Sequence, residues 1–221
     1  MNTPIRLAVW SDFLCPWCYV GAFRMADIER QYGDRVDVQW KSHVLRPAAK
    51  ARDIERFREY TTLWTAPAGP AAYEARCEFR TWGGEPPPTH SIPAAAAAKV
   101  VYELAPEQAA PFRMALFRAY FTEHRTISDV HVLAEIAAEC DVDAAAFRDA
   151  MRERGAAVAE QVFAEHNEGL ELGAHAAPTV VLNDALPIPG AQDLDTYTRI
   201  LDRMLARAAG HATSEGGAAS G

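Results

Sequence analysis

The chain has 221 residues, 49% of them hydrophobic, with 22 basic against 30 acidic side chains and a formal net charge of -8. That length can bury one sizeable core and leaves room for a large insertion. The acidic balance repels a phosphate backbone, which argues against nucleic acid as a partner, and no apolar run approaches the ~20 residues of a membrane span.

Ile5 to Trp10 is a short, mostly apolar run with β-branched and aromatic members, and reads as a buried strand. Its core, Leu7-Ala8-Val9-Trp10, is closed by Ser11 and Asp12. It is shorter than the roughly 7 to 15 apolar residues of a secretory signal, so the expected location is the cytoplasm. From Pro16 to Tyr32 the period changes. Tyr19, Val20, Phe23, Met25, Ala26 and Ile28 form one apolar helical face, and Arg24, Asp27, Glu29 and Arg30 supply the polar one. Gly33 suits the C-terminal stop. Val36 to Val44 alternates and predicts a second strand, parallel to the first through a right-handed crossover. His43 at its end reads as a partly exposed structural histidine.

No convincing strand follows until Pro178. Asp53 to Leu63 predicts a weakly amphipathic helix, while Thr65 to Pro70 and Gly83 to Thr89 are Pro/Gly-rich breaks. Pro93 to Leu104 is an Ala-rich helix. Pro106 to Thr122 carries Phe112, Leu116, Phe117, Tyr120 and Phe121 at helical spacing, a core stripe rather than a cofactor box. Ser128-Asp129 reads as an N-cap for the helix through Leu133 and Ile136. Asp143 caps a short helix through Phe147 and Met151, and Ala156 to Leu172 forms another, closed by Gly173.

Strand character returns with Thr179-Val180-Val181-Leu182, followed by a turn at Asn183-Asp184 and a short edge strand through Leu186 to Gly190, where proline is tolerated. Asp195 to about Ala208 is a final amphipathic helix. The fold class is α/β. Residues 1–46 and 174–209 form a discontinuous domain, interrupted by a helical insertion over 47–173, and 210–221 reads as a disordered tail.

The stretch Cys15-Pro16-Trp17-Cys18 lies where the first strand gives way to the first helix. A metal clip, a structural disulfide and a redox pair compete for it. Zinc wants four ligands, usually in two close pairs, and neither Cys77, Cys140 nor any histidine makes a second pair. A disulfide across two residues closes almost no loop and restricts the unfolded chain little. The redox reading uses the location: unpaired N–H groups and the positive end of the helix dipole favour a thiolate at Cys15, and Pro16 fits the first turn. Cys15 is then the accessible nucleophile and Cys18 the shielded resolving thiol. Cys77 and Cys140 read as bystanders. A proline immediately before a late strand, at Ala177-Pro178, suits a cis bond in a loop facing the dithiol. Asp12 reads as a turn or capping residue, with a proton-relay role for Cys18 as the alternative.

SDFLCPWCYVG (Ser11 to Gly21), ALFRAYFTEHRTISD (Ala115 to Asp129), AAPTVVLN (Ala176 to Asn183) and PGAQ (Pro189 to Gln192) together resemble the FrnE-like branch of the DsbA-like thioredoxin superfamily. The resemblance implies a thioredoxin-like fold with a large all-helical insertion and thiol–disulfide oxidoreductase chemistry. It matches Cys15 and Cys18 to the redox pair and Pro178 to the cis-proline. It implies substrate contact through Pro16, Trp17, Ala177 and Pro178. No metal or organic cofactor is expected beyond the Cys15–Cys18 disulfide, with glutathione as a possible participant. The implied partner is a thiol or disulfide substrate, protein or small molecule, met by a monomer or homodimer. One departure is Ala-Ala-Pro where the family usually has a Gly-Val-Pro-like segment, with His175 close by. The alternative is a glutathione-dependent 2-hydroxychromene-2-carboxylate isomerase or kappa-class-like glutathione transferase, though those branches typically carry serine at the position of Cys15.

Overall fold

A computed structural model describes residues 3–64, 76–84 and 86–216, with side chains described up to residue 209. The predicted break at Thr65 to Pro70 lies outside the described residues. Strand β1 (Ile5–Ser11) leads into helix α1 (Pro16–Tyr32) and returns as β2 (Val36–Ser42), parallel to β1 and paired from Ile5 with Val36 to Ser11 with Ser42. α1 stops where Gly33 takes φ 53°, a conformation that costs a glycine little. β3 (Thr179–Leu182) runs antiparallel on the other side of β1, and β4 (Leu186–Pro189) closes the sheet in the order β2-β1-β3-β4. Asn183 and Asp184 link them with φ of 47° and 54°. Positive φ at both central residues is what a type I′ turn needs; the Ala185 N–H closes it on the Leu182 carbonyl at 3.1 Å, and Ala185 completes a three-residue loop before Leu186. Asn183 Oδ1 also accepts the Arg6 N–H at 2.9 Å, and Asp184 pairs with Arg6.

Between β2 and β3 the described residues contain helices and loops only. These are α2 (Ile54–Thr62), α3 (Ile92–Leu104), α4 (Ala109–Phe121), α5 (Val130–Glu139) and α6 (Ala144–Glu171), and α7 (Leu194–Gly216) follows the sheet. This is a thioredoxin-like sheet interrupted by a helical insertion. The predicted caps are present: Asp129 accepts from the His131 N–H, and Asp143 from Ala145 and Ala146. Asp53 caps α2 in the same way, accepting from the Arg56 N–H.

Two helices differ from the sequence reading. The two predicted between Asp143 and Leu172 are one 28-residue helix. Gly155 does not break it: the ~1 kcal/mol that a mid-helix glycine costs is outweighed by burial of Phe147, Ala150, Val158 and Val162 along one side. α7 likewise runs to Gly216, into the segment expected to be disordered. No proline follows Ala208 to stop it, and its alanines favour helix.

The pleat sorts β1 onto two faces. Ile5, Leu7 and Val9 pack with Met25, Ile28 and Tyr32 of α1 and Tyr197 and Leu201 of α7. Ala8 and Trp10 face the other way, with Val181, Ala174 and Leu172. There Trp10 Nε1 donates to the Glu165 carbonyl at 2.7 Å, so the last turns of α6 dock on the sheet. The largest core cluster joins Leu14, Cys15, Cys18, Tyr19 and Ala22 to Phe112, Leu116, Phe117, Tyr120 and Phe121 of α4. The predicted aromatic stripe is therefore core, and it is packed directly on the cysteine-bearing end of α1.

Candidate active site

Cys15 is the N-cap of α1, in extended conformation, and Pro16 occupies the first turn. The carbonyl of Cys15 accepts the N–H groups of Cys18 at 3.1 Å and Tyr19 at 3.4 Å, and its own N–H donates to the Asp12 carbonyl at 3.1 Å. The loop is thus closed on itself before the helix begins. Cys15 Sγ donates to the Ala177 carbonyl at 3.2 Å. Cys18 Sγ lies deeper and accepts the Asp12 N–H at 3.4 Å. The cysteines are 6% and 1% exposed. The order of exposure matches the sequence reading, but the first thiol is covered rather than open, because the Ala177–Pro178 loop lies over it. Burial pushes the Cys18 thiol well above its ordinary range, and the neighbouring Cys15 adds to the shift. At neutral pH Cys18 therefore holds its proton and waits as a thiol.

The peptide bond Ala177–Pro178 is cis. Thr179 Oγ1 donates to the Ala176 carbonyl at 2.7 Å, and the Gly190 N–H donates to the Pro178 carbonyl at 2.8 Å. Pro178 lies beside Gly21 of α1: a Cβ built there would stand 3.5 Å from Pro178 Cγ, an ordinary van der Waals contact. Pro16 and Trp17 are half-buried. Trp17 packs against Val20, as do Phe23, Phe79 and Cys77. Cys77 is half-buried there, its thiol pushed up to about 12 by burial, which leaves it inert as a nucleophile at neutral pH. Cys140 caps the end of α5. His175 is exposed. Among the described residues no three His, Cys, Asp or Glu side chains converge in a metal-holding arrangement.

Asp12 is buried, and both carboxylate oxygens are engaged: Oδ1 accepts the Leu14 N–H and Oδ2 the Leu45 N–H, each at 2.7 Å. The turn reading describes this geometry. It ties the cysteine loop to the segment that leaves β2 for the insertion. Burial raises its pKa, partly offset by these hydrogen bonds and by Ser91.

His43 departs from expectation. It is 5% exposed, edge-on to His166 of α6 with ring centroids 4.8 Å apart, and its Nδ1 has no hydrogen-bond partner among the described residues. His166 Nδ1 accepts the Val44 N–H at 3.3 Å. α6 covers the end of β2, which local alternation does not reveal. Burial, with His166 adding, pushes the His43 pKa down to about 4 from an ordinary 6.5. Between those values the unfolded chain takes up a proton that the native chain refuses, so stability falls as pH drops through the window. The loss should reach on the order of 3 kcal/mol near pH 4. Asp12, with its raised pKa, acts in the opposite direction, so the test is a difference. Urea denaturation from pH 7 to 4 should show a shallower fall for His43→Gln than for the wild type. Parallel curves would mean that His43 charges freely in the folded protein.

Arg24 was expected on the polar face of α1, but it is buried at 6% exposure, because backbone carbonyls of the turn after β4 solvate its guanidinium. The sequence carries no local signal for Arg24, Leu45, Ser91 or His166 as neighbours of the dithiol loop or its supports.

The chain matches the family model of the DSBA-like thioredoxin domain over residues 6–202. A curated relative, the uncharacterized protein YwbO of Bacillus subtilis, is 26% identical over 200 residues, covering 89% of this chain and 96% of that protein. Among solved structures, the one named probable DsbA oxidoreductase SCO1869 from Streptomyces coelicolor is 25% identical with a TM-score of 0.73, covering 91% of this chain and 90% of that one. The cytosolic disulfide reductase DsbM from Pseudomonas aeruginosa, solved with GSH, shares the fold at 20% identity and a TM-score of 0.65, covering 91% and 99%.

Proposed function

Because the chain belongs to the DSBA-like thioredoxin domain family, which acts on thiol and disulfide substrates, we propose that it is a dithiol–disulfide oxidoreductase using Cys15 and Cys18 as its redox pair. One observation carries the reading. Cys15 Sγ sits at the helix start against the Ala177 carbonyl, while Cys18 is sealed one turn behind it. The first sulfur stands at the helix start under the loop that a substrate meets, and burial keeps the second protonated until it is needed.

In the reducing direction the Cys15 thiolate attacks a substrate disulfide. One substrate sulfur leaves as a thiolate and takes a proton. Cys18 gives up its proton and attacks Cys15 Sγ, which releases the second substrate thiol and leaves the Cys15–Cys18 disulfide. In the oxidising direction a substrate thiolate attacks Cys15 Sγ and the electron pair of the broken bond goes to Cys18. A second substrate thiolate then attacks the substrate sulfur and frees Cys15. Neither direction needs a metal or organic cofactor, and glutathione is one thiol that could serve. Pro16, Trp17, Ala177 and Pro178 form the rim that the substrate meets, in a cytoplasmic setting.

The test is the Cys15–Cys18 reduction potential, read from tryptophan fluorescence across glutathione buffers, with Trp17 inside the loop as reporter. A value near about -270 mV marks a reductant and one near about -120 mV a strong oxidant. A chain that forms no disulfide at any poise would overturn the dithiol reading in favour of glutathione-dependent isomerase or transferase chemistry.

A further inference from the structure

The PGAQ turn, Pro189 to Gln192, follows the edge strand, and Arg24 of α1 is an arginine buried where an apolar residue would pack at lower cost. The two meet. Arg24 Nη1 donates to the carbonyls of Ala191 and Gln192, each at 2.6 Å. The turn is further held by the Gln192 side chain on the Pro189 carbonyl at 2.6 Å. Its Gly190 N–H donates to the Pro178 carbonyl at 2.8 Å, and Pro178 rests against Gly21, one helical turn before Arg24 on the same face of α1. Ala177, the residue before that proline, presents its carbonyl to Cys15 Sγ.

A path of direct contacts therefore runs from Arg24 through the turn to the loop over the nucleophile, and both ends of it stand on the same helix. We infer that Arg24 is a positioning residue: by clamping the Pro189–Gln192 turn it holds the Ala177–Pro178 backbone in place for an extended peptide segment of a disulfide substrate. The inference rests on the dithiol reading above. A guanidinium suits the task because the two N–H groups of Nη1 are fixed in its plane and reach both carbonyls, whereas the donors of an ammonium turn on a flexible stem. Arg24 touches neither sulfur, so its loss is felt by substrates that use the loop backbone and not by those that only reach Cys15.

The experiment compares Arg24→Met and Arg24→Lys with the wild type on two substrates, insulin and the small disulfide of 2-mercaptoethanol. Arg24→Met should lower kcat/KM for insulin about tenfold, mainly through KM, and Arg24→Lys should recover part of that loss. Turnover of the small disulfide should stay within about twofold for both. An unchanged insulin KM, or an equal loss on both substrates, would overturn the positioning role. If Arg24→Met does not fold, the ratio of the two substrates for Arg24→Lys decides the matter alone. A wild-type chain that cannot form the Cys15–Cys18 disulfide fails at the earlier step, before any Arg24 variant is read.

Discussion

Cys15→Ser should reduce disulfide exchange to the uncatalysed background, a loss of at least about a thousandfold, because a serine hydroxyl can neither ionise at neutral pH nor form a disulfide. Cys18→Ser should behave differently. Cys15 remains at the helix start with its Ala177 contact, so the first attack proceeds. The resolving thiol is gone, and the mixed disulfide accumulates. Intact-protein mass spectrometry after incubation with a disulfide peptide distinguishes the two: a covalent adduct for Cys18→Ser and none for Cys15→Ser. Equal adducts on both variants would place the reactive thiol elsewhere than Cys15. Retained catalysis by Cys15→Ser would end the dithiol mechanism.

The second large effect concerns stability. Gly169 lies on the buried side of α6, against the indole of Trp10. A Cβ there would stand 2.9 Å from Trp10 Cε2 and closer still to Nε1 and Cδ1. The indole cannot easily give way, since it is fully buried in β1 and its N–H is bound to the Glu165 carbonyl one turn earlier in the same helix. Gly169→Ala must therefore push α6 off the sheet or tilt Trp10. A cost of about 3 kcal/mol is expected, despite alanine's better helix propensity. Trp10→Phe removes the donor and leaves a smaller ring, so the double variant should be less destabilised than the sum of the two single ones. Urea midpoints measure all three. A Gly169→Ala protein as stable as the wild type would show that the end of α6 is free to shift. That would remove the constraint by which the insertion is seated on β1.

Much of the fold was legible in the chain. The alternation in Val36 to Val44, the helical stripes of α1 and α4, the aspartate caps of α5 and α6, and the Asn183-Asp184 turn are all local features. Each records what neighbouring residues do to one another along a strand, a helix or a turn. The position of the two cysteines was legible for the same reason: a strand running into a proline-started helix places Cys15 at the N-cap whatever the rest of the molecule does. The two helices read between Asp143 and Leu172 are one, because Gly155 between them costs a helix little when one face is buried.

What only the tertiary structure decided concerns partners distant in sequence. Arg24 reads as a solvated residue among charges, yet it ends beside carbonyls 167 and 168 residues further on. The environment of His43 depends on His166 of α6, 123 positions away (166 - 43). The cover over Cys15 comes from Ala177, 162 residues later. Periodicity and turn chemistry report which way a side chain points from its own element. They carry no information about which backbone carbonyl, imidazole or loop will arrive opposite it. The sequence by itself determined the order of elements and the chemistry available at Cys15-Pro16-Trp17-Cys18. The packing of a late loop and a long inserted helix against that site decided which thiol is covered, which is sealed, and what holds the cover in place.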